Sequence, residues 1–318
     1  MQEKSEDELK KINNIQNNML LQVEKLLRTK ARRSIKSRYR YYESVKRFVK
    51  WLSENGYYIQ SFKNVKEKHI TAYVEYMTQK GLNISTIKTD LAGIRYFYAL
   101  TDGRNPLPDN EYLELEHRIS GNVERAWSEE EINKALNLAE KLNRKDVIEE
   151  ILLSINFGLR LEETITITST QLNNALTKEK LTIKGKGGYI RNVPVRTKEQ
   201  KELLKFCLKE EKEKIFLDGT KSTHLVKKEV QQWIYNHRDK FEDKGRVTGK
   251  EAEEFKKKGI IVRSHITFHG LRHYYAQKRY GEFLNQGLNE FESRRRVSEE
   301  IGHHRDEVTN VYLAKEVK

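Results

Sequence analysis

One cysteine, Cys207, and three prolines stand in 318 residues. A single thiol closes no internal disulfide and builds no cysteine-based zinc finger, so the chain reads as a protein of a reducing compartment. With so little proline and 17 glycines, long stretches are free to be helical. No apolar run approaches the roughly 20 residues of a membrane span. The N-terminal MQEKSEDELKKINN has no apolar signal core, and the expectation is a cytoplasmic, nucleoid-associated protein with no membrane partner. Acid is in deficit: 47 Asp and Glu face 61 Lys and Arg, a net charge of +14. Such a field attracts polyanions and makes nucleic acid the leading partner. At 36% hydrophobic residues the chain can bury a core, and its length suggests two domains.

Residues 1–29 read as a charged helical arm, with Leu9, Ile12, Ile15, Met19 and Val23 on one face. From Lys25 to Tyr42, KLLRTKARRSIKSRYRYY carries eight Lys or Arg, no acid and three tyrosines. It is either a solvated tether or a surface for DNA phosphates, to which Arg32, Arg33, Lys36, Arg38 and Arg40 would contribute. Three helices follow: one with Val45, Phe48, Val49 and Leu52 buried and ended by Asn55-Gly56, one over 67–80, and one capped by Ser85. The last leaves Lys88 and Arg95 free for DNA. TDGRNPLPDN at 101–110 is linker chemistry, so 30–118 forms an all-helical module and 119–318 a second domain. In the latter, Ser128 to Glu131 make a capping box, 146–157 an apolar helix and LTIKGKGGYIRNVPV at 181–195 a β-hairpin. Residues 238–258 have almost no apolar content and read as an exposed excursion.

Four separated pieces stand out: Gly158-Leu159-Arg160 with Glu163, Gly185-Lys186-Gly187, His269-Gly270-Leu271-Arg272-His273, and Gly302-His303 with Tyr312 nine residues on. Singly each is weak. Together, in this order, they resemble the signature of the tyrosine recombinase, or phage integrase, family over about residues 30–318. The resemblance implies a mainly α fold with a small β-sheet or hairpin: an all-helical core-binding domain and a mixed α+β catalytic domain closing as a clamp around DNA. It further implies a site-specific recombinase of two DNA duplexes, working as a homo-tetramer through a 3′-phosphotyrosyl intermediate and a Holliday junction, with no cofactor and no metal. Accessory DNA-bending proteins are compatible with this setting, and a mobile element is preferred over chromosome-dimer resolution. By resemblance Arg160 and Arg272 hold the phosphate, Lys186 protonates the departing 5′-oxygen, His269 relays the tyrosine proton, His303 donates to a phosphate oxygen and Tyr312 attacks. Glu163 orients the site and His273 is structural. The stretch between Arg272 and His303 is longer than in compact family members.

The chemistry agrees. Transesterification of a phosphodiester needs a nucleophile, an acid for the leaving oxygen, and cations around oxygens that gain charge in the transition state. Guanidinium donates two parallel hydrogen bonds to phosphate and stays charged. A phenol attacks and, being a better leaving group than an alcohol, is later displaced, so bond energy is stored without ATP. Tyr312 also lies six residues from the end, on a tail short enough to swing into its own or a neighbour's site. The plainer reading makes it a core tyrosine beside Val311 and Leu313.

Three rivals remain. His265, His269 and His273 at four-residue steps would line a metal site on an unbroken helix and suggest a metal-dependent nuclease, but Ile266-Thr267-Phe268 reads as extended chain entering a helix near His269. A DNA-binding regulator that keeps the fold without activity would need neither the Lys nor the Tyr. A type IB topoisomerase is chemically adjacent.

Overall fold

The computed structural model describes residues 5–103, 105–117, 123–209, 213–217, 219–257, 260–303 and 309–313, with only the backbone of Lys186 and Glu251. Two compact units divide the chain, Met1–Arg118 and Ile119–Lys318.

The first unit is four helices: α1 (Glu6–Thr29), α2 (Ile35–Glu54), α3 (Glu67–Gln79) and α4 (Ile84–Ala99). Helix α1 opens on a capping box between Ser5 and Glu8. Its Ile15, Met19 and Val23 enter the same core as Phe48, Leu52, Ile70, Leu91 and Phe97, so the helix expected as an arm supplies part of this unit's interior. Helices α2 and α4 cross closely at Gly93, where a Cβ would come within 3.0 Å of the Tyr41 carbonyl. Beside the crossing Arg47 grips the buried Asp90 at 2.5 and 3.1 Å, and Tyr73 donates to the same carboxylate. Helix α4 is capped by Asn83, which accepts from the Ser85 amide, rather than by Ser85.

The second unit contains α5 (Glu129–Lys141), α6 (Lys145–Phe157), α7 (Leu161–Ile165), α8 (Ser169–Lys178), α9 (Lys198–Cys207), α10 (Thr223–Phe241), α11 (Lys250–Lys257), α12 (His269–Asn285) and α13 (Glu290–Ile301). The strands are β1 (Val123–Glu124), β2 (Lys180–Lys184), β3 (Ile190–Pro194) and β4 (Ile261–Val262). Strands β2 and β3 form the expected antiparallel hairpin, and β1 pairs with β4 in parallel. Helices α6 and α12 pack on each other. One core gathers the hairpin, α8, α9, α12 and α13 around Phe157, Leu181, Val193 and Tyr275; a second gathers α5, α7 and α10 around Trp127, Ile165 and Trp233.

The stretch 238–258 departs from the exposed excursion its composition suggests. Phe241 closes α10 inside the second core, stacked on Trp127 and Trp233. Arg246 then makes a buried ion pair with Glu131 at 2.7 Å, and Phe255 of α11 packs on Ile260. A few well-placed apolar side chains and a few paired polar groups, the Glu242 contact with the Ile266 amide among them, anchor a polar segment. The long interval between Arg272 and His303 is occupied by the length of α12 and by α13.

Candidate active site

The apolar helix α6 ends at Gly158, in the left-handed conformation (φ 61°) that lacks a Cβ penalty. A side chain there would also meet the Tyr275 ring at 2.5 Å. This turn drives Leu159 into the core and leaves Arg160 at the N-cap of α7. Glu163, one turn on, reaches back to the Arg160 amide at 2.8 Å and to its guanidinium at 2.9 Å. The hairpin brings a third group: alternation in β3 turns Arg191 inward with Val193, and its two terminal nitrogens clasp Glu163 at 2.9 and 2.6 Å. From α12, Arg272 is wholly buried, donates to the carbonyls of Gly158 and Ile301, and stands 3.8 Å from Glu163.

One carboxylate therefore faces three guanidiniums. Burial works to raise the Glu163 carboxyl, but hydrogen bonds and charge from Arg191, with Arg272 behind it, prevail and hold it at about 2. Burial pulls Arg272 down to about 10, aided by Arg160 and Arg191 and opposed by Tyr312. The Nε atoms of Arg191 and Arg272 are buried without a hydrogen-bond partner. A positive centre with spare inward donors is built to receive an anion.

Tyr312 closes the site. It lies in a turn whose amide at 312 donates to the Thr309 carbonyl, and it is 4% exposed with Leu313 buried beside it. Core packing and a role in the site thus coincide, and the side chain is held rather than hanging on a loose tail. Its hydroxyl is 2.9 Å from Nε2 of His303, and that nitrogen is 3.3 Å from Arg160. A guanidinium only donates, so this Nε2 accepts, and the tyrosine hydroxyl donates to it. The Arg272 guanidinium lies 5.5 Å from the phenol ring, with the His273 ring at 4.5 Å and the His269 ring at 5.7 Å. Loss of water and the arginine field hold His303 and His269 at about 4 and His273 at about 3, all neutral near pH 7. Gly302, left-handed at the end of α13, lets the chain pass Arg191 at a distance no Cβ would tolerate.

The structure thus assembles Arg160, Glu163, His269, Arg272, His273, His303 and Tyr312 from four separated segments. Lys186 is in the hairpin turn, and its side chain lies outside the described residues. His265 precedes α12 and pairs with Glu242, so the three histidines do not align. Among the described residues no group of three His, Cys, Asp or Glu is placed to hold a metal ion. Sequence reasoning missed Arg191 as a site residue, although the period-two pattern of β3 signals its inward direction.

The proposed phosphate contacts lie in the first unit. Arg32, Arg33 and Lys36 are exposed at the α1–α2 junction, Arg33 resting on the rings of Tyr41 and Tyr96. Arg38 donates weakly to the Ala31 carbonyl, Arg40 reaches Thr89, and Lys88 is half-buried on α4. Arg95 is not free: it donates to the Pro108 carbonyl at 2.8 Å and to Asn110 at 2.9 Å, and so ties the linker to α4.

A phenol hydrogen-bonded to a neutral imidazole and flanked by guanidiniums can chemically attack a phosphodiester. Residues 125–318 match the phage integrase family and residues 19–105 the phage integrase N-terminal SAM-like domain, and the chain belongs to the phage integrase family of site-specific DNA recombinases. Solved structures share the fold. A lambda integrase (75–356) dimer bound to a COC′ core site matches with TM-score 0.57 and 16% identity over 92% of this chain and 93% of that one. A Tn1549 transposon integrase in complex with transposon right end DNA matches with TM-score 0.57 and 14% identity over 92% and 93%, and XerH recombinase bound to difH with 0.54 and 18% over 97% and 85%. No curated protein sequence matches the chain. Among the described residues no helix is long and apolar enough to cross a membrane.

Proposed function

We propose that Tyr312 is the nucleophile of strand exchange and that Arg160, Arg191 and Arg272 hold the scissile phosphate of duplex DNA. The observation that carries this reading is the Tyr312 hydroxyl hydrogen-bonded to a histidine that also faces Arg160, beside a wholly buried Arg272. The phenol oxygen bonds to phosphorus, the bond from phosphorus to the 5′-oxygen breaks, and a 3′-phosphotyrosyl ester and a 5′-hydroxyl result. Charge gathering on the non-bridging oxygens is met by preorganised guanidiniums, which need no rearrangement as it develops. Lys186, on the hairpin turn, supplies the proton for the 5′-oxygen; a histidine takes the one leaving the tyrosine. His303 makes that contact in the DNA-free protein, and His269 is the family's candidate once phosphate occupies the arginines. The 5′-hydroxyl of a partner duplex then attacks the ester and returns the tyrosine, so no nucleotide is consumed.

The partners in this reading are double-stranded DNA, a homo-tetramer spanning two sites, and accessory DNA-bending proteins. A lambda integrase tetramer bound to a Holliday junction, TM-score 0.59 at 15% identity, supports that assembly. Nicked duplexes incubated with protein and EDTA should give SDS-resistant adducts for the wild type and none for Tyr312→Phe. An adduct that survives in Tyr312→Phe makes the nucleophile assignment wrong.

A further inference from the structure

Against the first turn of α12 stands a second pair of arginines outside the family signature. The parallel pairing of β1 and β4 sets Val123 against Ile261 and Glu124 against Val262, and the Arg263 amide continues the ladder to the Glu124 carbonyl at 3.0 Å. The next residues in register are Arg125 and Arg263. Opposed residues of a parallel pair project to the same face, so two like charges stand side by side, an arrangement that costs stability unless an anion joins it.

Neither arginine has an acidic partner among the described residues. Glu124, which projects to the other face, is instead engaged by the Ala126 amide and by Gln277. The Arg125 Nε is buried with no hydrogen-bond acceptor. Backbone packing fixes where the pair sits. A Cβ on Gly270 would run into the Arg125 carbonyl, and Trp127 donates to the Thr267 carbonyl at 2.9 Å, so this edge lies against the first turn of α12, which carries His269 and Arg272. Burial, the charge of Arg263 and the proximity of Tyr312 all register on Arg125, the first two lowering its guanidinium and the last raising it.

We infer that Arg125 and Arg263 form a second phosphodiester-binding site, taking the DNA backbone phosphate adjacent to the one Tyr312 attacks. The inference rests on the proposed recombinase reading. Two guanidiniums on one face match the two non-bridging oxygens of a phosphodiester, and the opposed pair supplies an anion affinity that no carboxylate among the described residues satisfies. Gripping the neighbouring phosphate fixes the strand's position along its axis and so aligns the scissile phosphorus with the phenol.

The test compares wild type, Arg125→Gln/Arg263→Gln and Arg125→Lys/Arg263→Lys on duplexes carrying a single neutral methylphosphonate at successive positions around the nick. In the wild type one position flanking the cut should slow adduct formation; in the Gln pair adduct formation should already be about ten-fold slower and indifferent to that position, with the Lys pair between them. In parallel, the slope of log affinity against log salt should fall by about one for the Gln pair, as for one lost phosphate contact. Thermal unfolding checks that the Gln pair folds, with relief of repulsion giving an equal or higher Tm. A folded Gln pair with wild-type salt slope overturns the site, as does one with wild-type sensitivity to every methylphosphonate. If the wild type forms no adduct on any duplex, the recombinase reading fails on its own, and the salt slope still decides whether the pair binds a backbone phosphate.

Discussion

At the scale of residues, the site is governed by an imbalance of charge that its own burial enforces. Among the described residues Glu163 is the one carboxylate that meets Arg160, Arg191 and Arg272, and it satisfies Arg191 through both oxygens. Replacing it with Gln leaves buried guanidiniums facing an amide, and removing one partner of a buried pair typically costs about 3–5 kcal/mol. Urea unfolding of Glu163→Gln should show a loss of that order, with cleavage impaired because Arg191 and Arg160 lose their common anchor. The pH dependence follows from the same field. His269, His273 and His303 sit below the ordinary imidazole value of about 6.5, so between roughly pH 4 and 6.5 the unfolded chain binds more protons than the folded one. Their contribution to stability is complete above about 6.5 and is lost as pH falls toward 4. Glu163, held at about 2, adds a further loss between its ordinary value and about pH 2. A series of denaturant midpoints from pH 7.5 to 4 should therefore decline steadily below 6.5; a flat series contradicts neutral histidines in the site.

At the scale of elements, short turns aim the chemistry. Gly158 ends α6 in the left-handed region with the Tyr275 ring against its Cα, and Arg160 emerges two residues later. Gly158→Ala should destabilise the catalytic unit by about 2 kcal/mol through strain and overpacking together. It should also slow adduct formation more than it weakens DNA binding, since Arg160 is displaced while the first unit is untouched. Amphipathic periodicity and caps made most helices and the hairpin legible: the Ser128 and Glu131 box forms as the sequence implies. Period-two and period-3.6 patterns report which face is buried, and nothing about which distant element covers it. That is why the polar stretch 238–258 misleads, its anchoring resting on a few residues such as Phe241, Glu242, Arg246 and Phe255.

At the scale of the whole molecule, the excess of 14 positive charges gives a long-range attraction for DNA that salt screens. The run at the α1–α2 junction should mainly supply phosphate contacts. Neutralising Arg32, Arg33, Lys36 and Arg38 together should weaken binding across all sequences and flatten the salt slope by up to about four; an unchanged slope removes this surface from the interface. Composition, turn chemistry and the ordered set of short motifs were enough to identify the fold class and the family and to single out Arg160, Arg272, His269, His303 and Tyr312 as candidates that the structure brings together, because these are properties of residue type and spacing. Tertiary structure alone decided that Tyr312 is buried against His303, that Arg191 completes the clasp on Glu163, that Arg95 serves the linker, and that Arg125 stands beside Arg263. Each depends on which chain segments meet in space, from His303 and Tyr312 nine residues apart to the strand register that sets Arg125 against Arg263. Contacts of that kind are set by packing of the whole core, which no local pattern encodes.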